Sequence, residues 1–382
     1  MALLCGSSAL HAQDFKLTSS GYFKNQGVDF MASDDIYPEG HQGGVCIIMN
    51  GHRVATNGDI RLEATPGQWQ PVPKQLDRKL GDNSITAPLC YPDSSRHLTG
   101  FNPMINPDLP QIYPVTVESK GKNIEVTVDL DRPIPQEFIG KVGFNLEFFP
   151  GSLFGKPWIM DGQSGIFPQQ PNSPLMTTQP NYLHTGNYHD GKKSLADMDK
   201  LIGKGYSPIV ADDIISEPYA KGTKFTSRPD DPYNKVTIES LSGDLQLFDG
   251  RMNHNNGWFV LRSNIKPGVT KGAVKWIITP NVVADWMYQP VIQTSQIGYH
   301  PAQDKEAVIE MDIRDNRKET AQIIRIDADG EKVVKNVTPA NWGKFLRYNY
   351  LKVNFTDVKE AGLYKIKYDT SVSPIFRIDK DV

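Results

Sequence analysis

Apolar residues recur at every second position in one short run after another, and that spacing confines the chain to β-structure. Ile124, Val126, Val128 and Leu130 alternate with polar residues, as do Val142, Phe144, Leu146 and Phe148, and again Val274, Trp276 and Ile278. Successive side chains of an extended strand point to opposite faces, so each run buries one face and leaves the other polar. Turn residues separate the runs. Two Asn-Gly pairs, Asn50-Gly51 and Asn57-Gly58, punctuate residues 43–64, and this dipeptide favours the positive backbone angles of tight hairpins. Many short strands between turns predict an all-β sandwich rather than a parallel α/β sheet.

A chain of 382 residues exceeds one typical domain, so two folded units are expected. The first, a large β-sandwich, is placed at residues 13–288. A polar, Pro-rich excursion over residues 168–232 reads as an insertion across its surface. Within it the spacing predicts one helix: Ser194 can cap it, Leu195, Met198, Leu201 and Ile202 share a face, and Gly203 can end it. The boundary falls near Tyr288 to Pro290. Beyond it Ala307, Ile309 and Met311 alternate, then Ile324 and Ile326, then Leu351, Val353 and Phe355, then Tyr364, Ile366 and Tyr368. Several short strands over residues 291–379 predict an immunoglobulin-like β-sandwich, here without a cysteine pair to pin it.

Composition excludes some classes of function. A formal net charge of -3 gives no bias toward nucleic acid or an anionic membrane, and no basic cluster with interleaved aromatics occurs. No apolar run approaches the length of a membrane span. Residues 1–12 read as the remnant of a secretory signal, with small residues leading to Ala12 before Gln13; export to the periplasm, cell surface or medium is expected. Lipid attachment at Cys5 is the lesser alternative, because Leu4 stands where a small residue is preferred. Cys46 and Cys90 can form one disulfide, although VCIIM around Cys46 reads as a buried strand where a thiol packs as a small hydrophobe.

The second unit carries an ordered set of motifs. It opens with Gln296-Ile297-Gly298-Tyr299 and Pro301, continues through Val353-Asn354-Phe355-Thr356-Asp357-Val358 and Glu360-Ala361-Gly362-Leu363-Tyr364, and closes with Ser373-Pro374 before Phe376-Arg377-Ile378. This stretch resembles the immunoglobulin-like domain at the N-terminus of glycoside hydrolase family 9 cellulases. In the first unit, residues 35–44, 57–73 and 254–263 resemble the long N-terminal β-sandwich region of some Bacteroidetes-type polysaccharide-degrading enzymes.

The resemblance implies hydrolysis of β-1,4-glucans by inversion on a barrel of paired helices, expected downstream of Val382. Inversion needs a carboxylate base and a carboxylic acid spaced to admit a water. The family takes its base from an Asp-Ala-Gly-Asp motif, which this sequence lacks. No catalytic residue, metal ligand or cofactor site is therefore assigned. The expected function is that of an accessory scaffold beside a cellulase-like barrel, with a β-glucan as a further possible partner. A stand-alone carbohydrate-binding or surface-attachment protein is the alternative.

Other constellations have simpler readings. Asp327-Ala328-Asp329-Gly330-Glu331 lacks the further ligands of a calcium loop and reads as a hairpin turn. Asp161-Gly162 and Asp249 to Arg251 are turn signals. Asp34, Asp35 and Glu39 offer carboxylates that sequence cannot place against a substrate. Glu39 and His41 lie among glycines without metal-site spacing, and His254 with Asn255 and Asn256 suits a tight turn as well as sugar hydroxyls. Flat sugar faces stack on flat rings, which makes Trp69, in a Gly- and Pro-rich loop, and Trp158, after Pro157, the candidate carbohydrate-binding residues. Trp258 and Trp276 suit the core, and Trp286 the domain junction. Trp342 suits either the small domain or the face of a partner barrel.

Overall fold

The computed structural model describes residues 14–33, 44–63, 65–66, 73–90, 109–172, 175–177, 214–252 and 257–382. These are strands and turns, with single 3-10 turns at Gln136–Phe138, Pro150–Ser152 and Gly250–Met252. No helix among them is long and apolar enough to cross a membrane. The helix expected over 194–203 lies outside the described residues. Two compact units divide the chain, Met1–Asp285 and Trp286–Val382.

Two antiparallel sheets form the first unit. One has nine strands in the spatial order Lys16–Leu17, Phe23–Asn25, Val28–Ser33, Gly44–Met49, His52–Leu62, Val142–Phe148, Phe259–Asn264, Leu245–Asp249 and Ala220–Gly222. The other runs Gln163–Ile166, Pro157–Met160, Lys224–Ser227, Val236–Ser240, Val274–Pro280, Asn123–Val128, Ile112–Lys120, Ser84–Cys90 and Lys74–Gln75, with Lys79–Leu80 also on Ser84–Cys90.

The alternating runs meet as cross-strand rows. Val126 stands opposite both Val117 and Trp276, so a one-residue slip would turn the whole row out of the core. Trp276 then ties the two sheets together. Its ring meets Phe144 of the nine-stranded sheet edge-on, with centroids 4.9 Å apart, and its Nε1 donates to Ser263 Oγ at 3.1 Å. Phe148 and Phe225 repeat this edge-to-face contact between the sheets at 5.9 Å.

The two Asn-Gly pairs behave differently. Asn50-Gly51 closes a hairpin in which Met49 faces His52. Asn57-Gly58 reverses nothing: it sits inside the strand His52–Leu62, where the register against Val142–Phe148 shifts between Asn145 and Glu147. Asn57 keeps the left-handed backbone, φ 54°, but pairing continues on both sides, so the extra residue becomes a bulge. Gly58 is required there because a Cβ would lie 2.4 Å from the Val45 Cβ.

The excursion expected over 168–232 is narrower in the structure. Residues Ala220–Gly222 and Lys224–Ser227 are strands of the two sheets, and Phe225 is fully buried. Described residues pin the excursion's base. Leu175–Thr177 pairs with Ile214–Ser216, and Thr65 Oγ1 donates to the Ser216 carbonyl at 2.9 Å. Asp249 is more than a turn residue. It is fully buried, and it accepts from Arg251 Nε and Nη2 (both 2.8 Å), Tyr219 Oη (3.0 Å) and the Asn172 amide (3.2 Å). Arg251 also donates to the Pro168 and Gln169 carbonyls at 2.9 and 2.8 Å. No disulfide joins Cys46 and Cys90.

The second unit is an immunoglobulin-like sandwich. A four-stranded sheet (Val291–Gln293, Glu306–Asp312, Tyr348–Asn354, Ala340–Phe345) faces a five-stranded one (Gly330–Val337, Ala321–Asp327, Gly362–Tyr368, Ser371–Val372, with Phe376–Ile378 on Gly362–Tyr368). Its motif residues have structural work. The Tyr299 hydroxyl accepts from the Ser295 amide and donates to the Glu306 carbonyl, while its ring meets Phe355 and Phe376 edge-on. Tyr364 Oη donates to the Glu360 carbonyl at 2.8 Å. Ser373 Oγ accepts from the Ile366 amide and donates to the Pro374 carbonyl. Fully buried Lys305 donates to the carbonyls of His300, Pro301 and Gln303, stapling the loop after Tyr299. Asp327 faces Gly330 across the expected hairpin turn.

Trp276 is the sharpest test of the first unit's packing. Trp276→Ala removes the inter-sheet ring and leaves a cavity, and is expected to cost about 3–5 kcal/mol. Urea denaturation followed by far-ultraviolet dichroism measures it; a loss under about 1 kcal/mol, the range of a surface substitution, would show that the sheets do not depend on this ring.

Candidate functional site

Both faces of the nine-stranded sheet are buried in its middle, and only one is apolar. Ile60 and Leu62 point to the core, with Phe144, Leu146 and Leu261 beside them. The other face carries Thr56, Asp59, Arg61 and then Glu63, with Asn145 and Glu147 on the next strand and Arg262 on the one after. Register sets the neighbours: Thr56 is opposite Glu147, Asp59 opposite Asn145, and Asn145 opposite Arg262.

Arg262 is the hub of this face. Its Nη1 lies 3.1 Å from both Glu63 Oε1 and Asn145 Oδ1, its Nη2 donates to the Glu63 and Lys141 carbonyls, and its Nε donates to Asn264 Oδ1 at 2.8 Å. Gly143 makes room for it, since a Cβ there would stand 2.6 Å from the Arg262 Nε. Asn145 Nδ2 completes the contact with Glu63. Burial pushes the Glu63 carboxyl above its ordinary range, against the pull of Arg262 and Arg61.

A second group lies along the same strand. Arg61 Nε donates to Asp59 Oδ1 at 2.6 Å, while its Nη2 stops 3.8 Å from Glu147 Oε1. Burial opposes the charge on Arg61, but Asp59, Glu147 and Glu63 outweigh it and hold the guanidinium protonated. The bulge brings in Asn57, whose Nδ2 donates to Glu147 Oε2 at 2.5 Å. Thr56 Oγ1 and Asn57 Oδ1 are buried and accept or donate no hydrogen bond.

The second unit offers a different surface. Edge-to-face and tilted contacts link Trp286 to Tyr288, Tyr288 to Tyr348, Tyr348 to Tyr350 and Tyr350 to Trp342, with centroids 5.1–6.3 Å apart. Glu310 fixes the row by accepting from Tyr288 Oη at 3.0 Å and Tyr350 Oη at 3.2 Å. Burial raises the Tyr288 hydroxyl above its ordinary range, with the bond to Glu310 adding to it. Trp342 is 56% exposed, and Phe345 and Leu346 in the adjoining turn are exposed too. At one end Arg314 chelates Asp312 with two bonds of 2.8 Å and donates to the Trp286 carbonyl. Beside it, Met287, Gln289, Arg314, Asp315, Asn316 and Arg317 line an open cavity of about 660 Å³.

The candidates from sequence fare unevenly. Trp158 is 6% exposed, stacks on Tyr219 at 6.3 Å and covers Gly165. Instead of an exposed platform it is a core ring, because strand pairing on both sides turns it inward. Trp69, Asp34, Asp35, Glu39, His41, His254, Asn255 and Asn256 lie outside the described residues. No cluster of three metal-ligating side chains occurs among the described residues. The polar sheet face carries no motif in the sequence. Its signal is the run Asn57, Asp59, Arg61, Glu63, which reads as an ordinary wet face until its burial is known.

Residues 287–373 match the family described as the cellulase N-terminal ig-like domain, on the segment whose motifs carry that resemblance. Among solved structures, a metagenome-derived glycoside hydrolase family 9 endoglucanase shares 29% identity over 24% of this chain, with a TM-score of 0.22. The chain spans 18% of that endoglucanase's length. A protein named HI1317 aligns over 70% of this chain and 99% of its own, at 7% identity and a TM-score of 0.26. Scores this low leave both as likenesses only. No curated protein matches the chain.

The Asp312–Arg314 pair gives the second unit a defined acid response. Hydrogen bonds from the Arg314 side chain, helped by the Arg314 and Tyr288 amides, hold Asp312 down to about 2 from an ordinary 3.8. A depressed carboxyl stabilises the fold fully above its unfolded value and loses that stabilisation as pH falls through its folded one. Stability of this unit is therefore expected to fall between about pH 4 and pH 2. Urea midpoints across that window should drop less steeply in Asp312→Asn; equal slopes would contradict the assignment.

Proposed function

We propose that this chain is an accessory region of a family 9 glycoside hydrolase, and that its immunoglobulin-like unit braces a catalytic barrel rather than cleaving glucan itself. The match of residues 287–373 to the cellulase N-terminal ig-like domain carries this reading. The row of rings from Trp286 to Trp342 supports it. Partly exposed aromatic side chains locked by mutual contacts lose little freedom on docking, and the Tyr288 and Tyr350 hydroxyls are already bonded to Glu310. The partner proposed for that face is a family 9 barrel, with a β-1,4-glucan as the polymer acted on. Export belongs to the same reading, since a polysaccharide of that size does not cross a membrane. The large first unit, in this reading, is the β-sandwich that accompanies such enzymes in polysaccharide-degrading bacteria.

Two measurements test it. The purified chain is expected to release no reducing sugar from carboxymethylcellulose, lichenan or xyloglucan; clear turnover would sink the accessory role. Added to a family 9 catalytic barrel from the same source, it is expected to raise the barrel's thermal midpoint, and Trp342→Ala to reduce that rise. No effect of the wild-type chain on the barrel would count against the bracing role.

A further inference from the structure

Bracing a barrel uses the row of rings and leaves the tip of one hairpin unexplained. We propose that this tip, Lys344-Phe345-Leu346-Arg347, is a peripheral docking site that sets its two apolar side chains into the surface of an anionic lipid bilayer. The inference stands on the second unit alone and does not rest on the accessory role.

The tip costs the fold stability and returns little packing. Leu346 is 80% and Phe345 57% exposed, so neither buries much area within the chain. Leu346 also holds a left-handed backbone, φ 52°, where glycine or asparagine sits with less strain. It opens the two-residue turn between Ala340–Phe345 and Tyr348–Asn354, in which Phe345 pairs with Tyr348. A turn position suited to a small or polar residue thus carries a large apolar one, in water, beside an exposed Phe. Clustered exposure of this kind marks a contact outside the chain.

Charge names the partner. Lys344 and Arg347, both exposed, flank the two apolar side chains. The surrounding stretch 332–356 holds Lys332, Lys335, Lys344, Arg347 and Lys352 and no Asp or Glu. Acids on the neighbouring loop do not offset this. Asp312, opposite Tyr348, and Asp315, whose carbonyl accepts from Asn349 Nδ2, are buried and already chelated by Arg314 and Arg317. The net charge of the whole chain is therefore not the charge of its tip.

A bilayer surface is layered to match. Its acyl boundary takes apolar side chains, and its headgroup layer takes the cations, whose long stems let the charge reach it. Trp342, three residues before Phe345 and 56% exposed, has the amphipathic ring favoured at headgroup depth. A protein partner would need a pocket cut to the tip. Strand pairing with a second copy is opposed by the bulge at Trp342, where the register shifts between Asn341 and Gly343.

The test is sedimentation of the full chain with vesicles of phosphatidylcholine, alone or in equal parts with phosphatidylglycerol. The chain is expected to sediment with the anionic vesicles and to be released by high salt. Leu346→Gly removes the apolar side chain and relieves the backbone. It should weaken vesicle binding about tenfold while keeping or raising the melting midpoint. Leu346→Met, which stays apolar, should keep the binding, and Lys344→Gln should weaken it about fivefold. The proposal is overturned if the wild type does not sediment with anionic vesicles, if it binds neutral ones as well, or if Leu346→Gly binds as tightly. Self-association lost in Leu346→Gly, with no vesicle binding, would also overturn it and assign the tip to a second copy. Barrel titrations with Trp342→Ala report separately on the accessory role.

Discussion

Arg262 holds the centre of the first unit in register. One guanidinium reaches Glu63 at the end of His52–Leu62, Asn145 on Val142–Phe148, the Lys141 carbonyl, and Asn264 on its own strand. Burying a charge is tolerable only where nearly every donor is matched, and here the match spans three adjacent strands. Shifting any one of them by a residue would face Arg262 with an apolar side chain. The same contact therefore specifies the polar face and, on the reverse side of the sheet, the row of Phe144 and Leu146 that meets Trp276.

Period-two spacing made the core legible. Val126, Trp276 and Phe144 alternate with polar residues in sequence and meet as neighbours in space. The second unit was legible for another reason: Tyr299, Tyr364 and Ser373 bond to nearby backbone, so their roles follow from short motifs. Asn57-Gly58 shows where local reading stops. The dipeptide favours a left-handed backbone, and Asn57 adopts it, but neighbouring strands decide between hairpin and bulge.

The polar face stayed illegible because alternation cannot distinguish a wet face from a buried one. Asn57, Asp59, Arg61 and Glu63 have the pattern of solvent-facing residues, and only tertiary contacts cover them. Trp158 fails in the opposite sense. Its place after Pro157 suggests an exposed ring, yet Pro157–Met160 is paired on both sides and the indole is packed over Gly165. Asp249 and Arg251, plain turn residues by sequence, form a buried ion pair because Tyr219 and the residue 168–172 backbone come to them from far along the chain.

That ion pair and the short ladder of Leu175–Thr177 with Ile214–Ser216 have an evolutionary consequence. The entropy of closing a loop grows only with the logarithm of its length, so each doubling costs about 0.6 kcal/mol. Once its two ends are fastened to the sandwich, the stretch between them can lengthen, shorten or change composition at little expense to the fold. Related chains should therefore differ most in length there, while keeping the residues that fasten the base.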